Sequence, residues 1–187
     1  MFVALDLPEL VRRDIAAWSE RELTNPALRP VAPESLHVTL AFLGDRPLGE
    51  VERIEERMWE IAETPILLQL QGPVGRPERG RPRLVTLPVD SNPVQVRQRE
   101  LGEWLSRAGL YELEGRAFWP HVTVARVRAE GRGSRRPMAT KIPSGPSPTA
   151  GIGYFDAVRI SLYRSELQPS GAHYVPLAQV ELPGRGW

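Results

Sequence analysis

His37-Val38-Thr39-Leu40-Ala41 is the stretch around which the chain is organised, because it returns 84 residues later as His121-Val122-Thr123-Val124-Ala125. The chain has three histidines, and two of them stand in this repeated frame. β-Branched and aliphatic residues run through 36–43 and 122–127, which predicts a strand in each copy. Because side chains at i and i+2 of a strand share a face, each copy directs one imidazole and one hydroxyl to the same side.

The two copies together predict a catalytic pair. If their strands are neighbours, His37 and His121 converge on one spot with the hydroxyls of Thr39 and Thr123. Histidine titrates near neutral pH, so one ring can act as a base while the other, protonated, acts as an acid. Displacement at an anionic phosphorus centre requires this division, and the hydroxyls can donate hydrogen bonds to the non-bridging oxygens. A single histidine on a strand is more often a packed ring, but packing does not require His and Thr together twice.

Length and composition limit the class of protein to which the chain can belong. With 187 residues and 41% hydrophobic content, the chain can form one domain, or two small lobes that share a core. The net charge is +1, so the field of the whole molecule is weak. The arginines are nevertheless clustered, at 76–83 and at 126–136. Such runs are usually solvated loops, although the planar guanidinium is also well suited to bind phosphate, and both interpretations stay open.

Several classes are disfavoured. No cysteine is present, so there is neither a disulfide framework nor a thiolate metal site. The first six residues lack the basic region of a signal peptide, and no apolar run reaches membrane-spanning length, which predicts a soluble cytoplasmic protein. Two histidines without a carboxylate cluster make a poor zinc or iron site, so we expect no metal and no cofactor. The sequence contains no G-x-S-x-G motif, which disfavours a serine hydrolase.

The pattern of elements predicts an α+β fold. Apolar residues recur at helical spacing in about 8–23, in 48–63 and between Ser91 and Gly109, two residues suited to cap the third helix. Mainly antiparallel pairing with flanking helices is favoured, and the repeat suggests two similar lobes around a central cleft. Strands are predicted at 2–7, 36–43, 66–70, 84–89, 122–127, 155–164 and 173–182, loops at 72–82 and 131–151, the latter long and mobile, and a turn at 169–171.

Two H-x-T-x motifs in two lobes are the signature of the 2H phosphoesterases, and the chain resembles that family. It is most similar to the branch of RNA 2′,3′-cyclic phosphodiesterases, first described as 2′-5′ RNA ligases. The resemblance covers nearly the whole chain. It rests on Phe2-Val3-Ala4-Leu5-Asp6-Leu7-Pro8, on Leu36 to Gly44, on Pro82-Arg83-Leu84-Val85, on Phe118 to Arg126, on Leu162 to Leu167 and on Gly171-Ala172-His173-Tyr174.

The resemblance implies a single bilobal α+β domain over residues 1–187, without metal, that hydrolyses RNA 2′,3′-cyclic phosphate ends to 2′-phosphomonoesters. By position, His37 would protonate the departing 3′-oxygen and His121 would activate water. Thr39 and Thr123 would hold the phosphate, and Arg126 is either a further phosphate contact or a strand-end charge. Trp119 stands where a basic or polar residue is expected, and would stack on a base or cover the cleft edge. The implied partner is an RNA end, the implied state is a monomer, and the third histidine, His173, is structural.

Other functions remain open at this stage. The same site could run the reverse reaction, in which a 5′-hydroxyl replaces water and gives a 2′-5′ linkage; concentrated water should usually prevail. A phosphodiesterase for small cyclic nucleotides would need the same two motifs. A non-catalytic RNA- or nucleotide-binding module is a different class, and both motif histidines count against it.

Overall fold

Three α-helices, ten strands and two short 3-10 helices (Pro33–Ser35 and Leu48–Glu50) make up the regular structure of the computed structural model, which describes residues 1–113, 115–168 and 171–185. The helices are α1 (Glu9–Glu22), α2 (Val51–Ile61) and α3 (Asn92–Arg107). The strands are β1 (Phe2–Asp6), β2 (Leu28–Pro30), β3 (His37–Phe42), β4 (Leu67–Leu70), β5 (Val74–Arg76), β6 (Leu84–Asp90), β7 (His121–Val127), β8 (Phe155–Asp156), β9 (Arg159–Gln168) and β10 (Gly171–Glu181).

The sheet places the two motif strands side by side at its centre. Its order is β10-β9-β1-β3-β7-β6-β4-β8, with β2 attached to β7 and β5 to β6, and every pairing described is antiparallel. Each half of this order contains one motif. The predicted α+β fold, with mainly antiparallel strands, flanking helices and a motif in each half, is therefore confirmed.

The helices form where the sequence predicts them and cover the sheet with their apolar faces. Buried residues of α2 are Ile54, Met58 and Ile61, and this helix packs against β9, β10 and α3. Ser91 caps α3, its hydroxyl accepting a hydrogen bond from the Val94 amide at 3.2 Å. Gly109 follows α3 with a φ of +72°, the left-handed conformation that commonly ends a helix. No helix in the described ranges has both the length and the apolar character needed to cross a bilayer.

One predicted strand is wrong, because 155–164 is not continuous. The chain leaves β8 at Asp156 and enters β9 at Arg159, crossing from one half of the sheet to the other. The Ala157 amide donates to the Ile66 carbonyl at 2.9 Å, beside β4, whereas the Val158 amide donates to the Asp6 carbonyl at 3.0 Å, at the end of β1. Two adjacent amides thus donate to opposite halves of the sheet. The alternation of apolar and polar residues in the sequence does not reveal this break between β8 and β9.

Two short strands occur where irregular chain was expected. β2 lies between the proline-rich breaks after α1, and β5 lies inside the predicted 72–82 loop. Both have three residues and are formed by pairing with a longer neighbour, so local sequence gives them little signal. The 131–151 segment contains no helix or strand, apart from a single bridge between Ala129 and Pro137 just at its start. Of the predicted turn at 169–171, residues 169 and 170 lie outside the described residues.

Candidate active site

A cleft of about 1970 Å³ runs along the two motif strands. All five residues singled out from the sequence line it: His37, Thr39, His121, Thr123 and Arg126. Val38 lies opposite Val122 in the antiparallel pair of β3 and β7. Continuing that register by one residue in each direction sets His37 against Thr123 and Thr39 against His121. The antiparallel pairing of these two strands thus brings both imidazoles and both hydroxyls to one part of the cleft.

A β-bulge follows the threonine of the first motif. Between β1 and β3, Ala4 pairs with Thr39 and the next pair is Val3 with Ala41, so Leu40 is an extra residue in β3. A bulge of this kind bends the strand and changes which face the following side chains take. Leu40 and Ala41 are both buried, whereas the side chain of the next residue, Phe42, is exposed and lines the cleft.

The second motif has the same bulge at the same place. Between β6 and β7, Thr86 pairs with Thr123 and the next pair is Val85 with Ala125, which leaves Val124 as the extra residue. Val124 and Ala125 are likewise buried. The repeated five residues therefore encode a repeated local structure as well as repeated chemistry.

The bulges place two unlike side chains in equivalent positions. Arg126 follows the second bulge and Phe42 the first, and both line the cleft. Phe42 is 64% exposed, although it is a large apolar ring. On one half of the cleft the bulge therefore presents a cation, and on the other an aromatic face. A sequence comparison of the two motifs that extends one residue past the alanine would have indicated this pair.

His37 is fixed in one tautomer. Its Nδ1–H donates to the Ser35 carbonyl at 2.8 Å, because a carbonyl can only accept. In the neutral ring, Nε2 is then an acceptor, and the Thr39 hydroxyl donates to it at 3.0 Å. The Phe2 ring stacks on the imidazole at 5.0 Å between centroids, and Tyr174 meets it edge-on at 5.3 Å.

His121 is held in the same way from the other half. Its Nδ1–H donates to the Trp119 carbonyl at 2.9 Å, again two residues earlier in the chain, which leaves Nε2 available to the cleft. The Trp119 indole stacks on this imidazole, and the guanidinium of Arg76 lies 3.6 Å from the indole centroid. Trp119 thus packs on the catalytic candidate itself, an arrangement that neither interpretation drawn from the sequence anticipated.

The two imidazoles differ in the charges that act on them. Burial lowers the pKa of both rings, and in both the hydrogen bond to a backbone carbonyl opposes this. Asp6 also raises the pKa of His37, against smaller lowering effects of His121 and Arg126. Arg76 further lowers the pKa of His121. Both pKa values are lowered overall, but the nearest acid, Asp6, opposes this at His37, whereas Arg76 adds to it at His121.

Asp6 is the residue of the site that sequence analysis missed. It lies opposite His37 in the pairing of β1 with β3 and is only 4% exposed. Its carboxylate accepts hydrogen bonds from the Ser161 hydroxyl at 2.8 Å and the Tyr163 hydroxyl at 2.9 Å, and forms an ion pair with Arg159 at 2.8 Å. Burial, with this carboxylate as a further cause, raises the pKa of Tyr163 to about 12. An acid at the end of an apolar first strand was the available signal, since such a group is costly to bury without partners.

The other residues considered in the sequence analysis differ in where they lie. His173 is an exposed residue of β10, opposite Glu166, and is not among the residues that line the cleft. Within residues 1–113, 115–168 and 171–185, no group of three or more histidine, aspartate or glutamate side chains is placed to hold a metal ion. Arg76, from the first arginine cluster, is bound over Trp119 and so is not simply part of a solvated loop.

Comparison with known proteins gives consistent matches over the chain. A family model described as LigT like Phosphoesterase matches residues 5–85. The RNA 2′,3′-cyclic phosphodiesterase of Thermus thermophilus is 30% identical over 98% of this chain and 90% of its own length. The protein of the same name from Methanothermobacter thermautotrophicus is also 30% identical, over 94% of this chain and 95% of its own. A crystal structure of a protein from Thermus thermophilus superposes with a TM-score of 0.82 at 27% identity, covering 99% of this chain and 98% of that one.

Proposed function

The chain belongs to the LigT-like 2H phosphoesterases, and on that premise we propose that it hydrolyses the 2′,3′-cyclic phosphate at RNA ends to a 2′-phosphomonoester. The observation that supports this most directly is the pairing of the two motifs in one cleft. Both imidazoles donate Nδ1–H to a backbone carbonyl and keep Nε2 for the cleft. Residues 1–187 act in this proposal as one bilobal domain and as a monomer.

His37 is the general acid and His121 the general base. The Nε2 atom of His121 accepts a proton from water, whose oxygen attacks phosphorus. The bond from phosphorus to the 3′-oxygen breaks, and the imidazolium of His37 donates its Nε2 proton to that oxygen. The buried carboxylate of Asp6 supports this assignment, because it stabilises a positive charge on His37, whereas Arg76 disfavours one on His121.

The threonines and Arg126 stabilise the phosphate. In the free protein the Thr39 hydroxyl donates to Nε2 of His37. When His37 is protonated, Nε2 becomes a donor, so that hydroxyl is free to donate to a non-bridging oxygen instead. Thr123, on the neighbouring strand, serves the second oxygen, and the guanidinium of Arg126 neutralises the charge that develops in the transition state.

The dimensions of the cleft favour an RNA end over a small cyclic nucleotide. A volume of about 1970 Å³ exceeds the roughly 300–1,000 Å³ typical of small-ligand pockets. The exposed ring of Phe42 offers an aromatic face on which a base can stack without reading its identity. Ligation by a 5′-hydroxyl is the minor reaction of the same site, because water is far more concentrated than RNA ends.

One experiment separates these possibilities. The protein is incubated with an oligonucleotide that ends in a 2′,3′-cyclic phosphate and, separately, with a cyclic mononucleotide, each with and without excess EDTA. We expect hydrolysis of both, with higher kcat/KM for the oligonucleotide, and no effect of the chelator. Binding without turnover would support a non-catalytic module instead. Activity lost to EDTA and restored by a divalent ion would refute the metal-free mechanism.

A further inference from the structure

A second pocket, of about 340 Å³, adjoins the cleft beyond Arg126. Leu84 and Arg126 line both spaces, so the two share a wall. Three arginines surround the pocket, each from a different segment: Arg83 precedes β6, Arg126 belongs to β7, and Arg135 lies in the loop that follows β7. The pocket is therefore assembled by tertiary structure and is not one run of charged residues.

The loop that contains Arg135 is fixed by hydrogen bonds. The Glu130 amide donates to the Arg136 carbonyl at 2.9 Å, and the Met138 amide donates to the Arg128 carbonyl at 2.8 Å. Arg81 also donates to the Pro137 carbonyl at 3.1 Å, which ties this loop to the chain before β6. The backbone on both sides of Arg135 is thus held against the rest of the fold.

The arginines around the pocket are uncompensated. Glu130 is the acid of this loop, and its carboxylate pairs with Arg81 and with Arg136, which lie outside the pocket lining. Among the described residues, no carboxylate lies within ion-pair distance of the three pocket arginines, Arg83, Arg126 and Arg135. The nearby acid therefore neutralises arginines outside the pocket, and the positive charge of the pocket itself is not balanced.

A fourth cation increases the imbalance. Arg29 of β2 lies directly opposite Arg126 in the pairing with β7, and it lines the cleft. Like charges directly opposite each other on neighbouring strands are destabilising. An anion that binds at this end of the cleft would remove that repulsion, so the arrangement is one that a negatively charged ligand stabilises.

We propose that this pocket is a second anion site, which binds the phosphate on the 5′-oxygen of the terminal nucleotide while the cyclic phosphate reacts between the histidines. This rests on the proposed function. Arg126 lines both spaces and serves the reacting phosphate, whereas Arg83 and Arg135 line only the pocket and are the ligands of the second phosphate. A volume near 340 Å³ has room for a phosphate group, and the guanidinium fork matches phosphate oxygens.

Three substrates test the proposal. Adenosine 2′,3′-cyclic phosphate has no phosphate on the 5′-oxygen. Its 5′-phosphorylated form has a phosphomonoester there, and the dinucleotide ApA with a cyclic phosphate end has the diester of an RNA strand. We expect the wild type to show a lower KM for the last two. Arg135→Gln and Arg83→Gln should each raise that KM about tenfold, with kcat and the kinetics of the first substrate nearly unchanged.

A matched control is available one residue away. Arg136→Gln also removes an exposed arginine of the same loop, but one that pairs with Glu130 at 3.6 Å, and it should leave all three substrates unaffected. Arg135→Lys keeps the charge and should recover part of the loss. For the dinucleotide, the slope of log kcat/KM against log salt should become shallower by about 0.7 for each contact removed.

Two outcomes would overturn the second anion site while leaving the proposed function intact. One is equal KM for the three substrates with wild-type protein; the other is an equal loss on all three in Arg135→Gln. If the wild type turned over none of them, the proposed function itself would fail. The pocket is tested without turnover by calorimetric titration with adenosine 5′-monophosphate, which should bind Arg135→Gln about tenfold more weakly than wild type or Arg136→Gln. Equal binding to all three proteins overturns the site.

Discussion

The indole of Trp119 lies against the imidazole of His121, with ring centroids 4.5 Å apart and planes 21° from parallel. The same residue accepts the hydrogen bond of His121 Nδ1–H through its carbonyl, so it fixes both the tilt and the tautomer of the ring. Burial lowers the pKa of His121, and the guanidinium of Arg76, which lies over this indole, lowers it further. A residue outside the motif therefore helps to keep the proposed general base neutral.

Removal of Arg76 should move one limb of the pH profile. A base must be neutral to act, so kcat/KM falls at low pH as His121 becomes protonated. In Arg76→Gln the pKa of His121 rises, and this acidic limb should shift to higher pH. Arg79→Gln removes an exposed arginine from the same loop and is the control. An unchanged acidic limb in Arg76→Gln would argue against His121 as the base.

Asp6 should control the opposite limb. Its carboxylate raises the pKa of His37, which must be protonated to act as an acid, so kcat/KM falls at high pH as His37 loses its proton. Asp6→Asn should shift this alkaline limb to lower pH. Ser161→Ala is the matched control, because it removes one hydrogen bond to the carboxylate and keeps the charge. If both variants moved the limb equally, the effect would come from local packing and not from charge.

The same aspartate should matter for stability. Asp6→Asn removes the ion pair with Arg159, which is itself partly exposed and then keeps only its pair with the exposed Glu181 at 3.3 Å. We expect a loss of about 2 kcal/mol in the free energy of unfolding, measured by denaturant titration at neutral pH. Ser161→Ala should cost about 1 kcal/mol. The pH profile and the unfolding curve of each variant must therefore be measured together.

The two histidines should be indispensable for turnover and dispensable for folding. His37→Ala and His121→Ala should each lower kcat/KM by roughly 10²–10⁴-fold, the usual effect of removing a general acid or base. His173→Ala, on the exposed face of β10, is the control and should retain full activity. Circular dichroism should show all three variants folded. A folded motif variant with near-normal turnover would be incompatible with the proposed pair.

Arg126 should favour activity at the expense of stability. Arg126→Gln removes a proposed phosphate contact, so kcat/KM should fall about 10- to 100-fold. It also removes the repulsion with Arg29 across the strands, so the free energy of unfolding should rise by several tenths of a kcal/mol. Arg128→Gln is the control, since that side chain bonds the Pro26 carbonyl at 3.1 Å. Loss of stability in Arg126→Gln would contradict the interpretation of the arginine pair.

The sequence predicted the elements that depend on local pattern. The repeat located β3 and β7, and the caps Ser91 and Gly109 bounded α3. The sequence pattern could not predict the break between β8 and β9, because that break arises where adjacent amides donate to carbonyls in opposite halves of the sheet. For the site, the motif residues were predicted, whereas Asp6 and Arg76 act on the histidines from other strands and become visible only once the strands are paired.

The position of the product phosphate tests the assignment of the two roles. In-line displacement requires water and the departing oxygen on opposite sides of phosphorus, and the two histidines stand on neighbouring strands, one in each half of the sheet. With His37 as the acid, the 3′-oxygen departs and the phosphate stays on the 2′-oxygen. We therefore expect only the 2′-phosphate, identified by phosphorus NMR against both isomers. A pure 3′-phosphate would keep the two-histidine chemistry with the ribose reversed in the cleft, and a mixture would mean that the cleft does not fix the ribose at all.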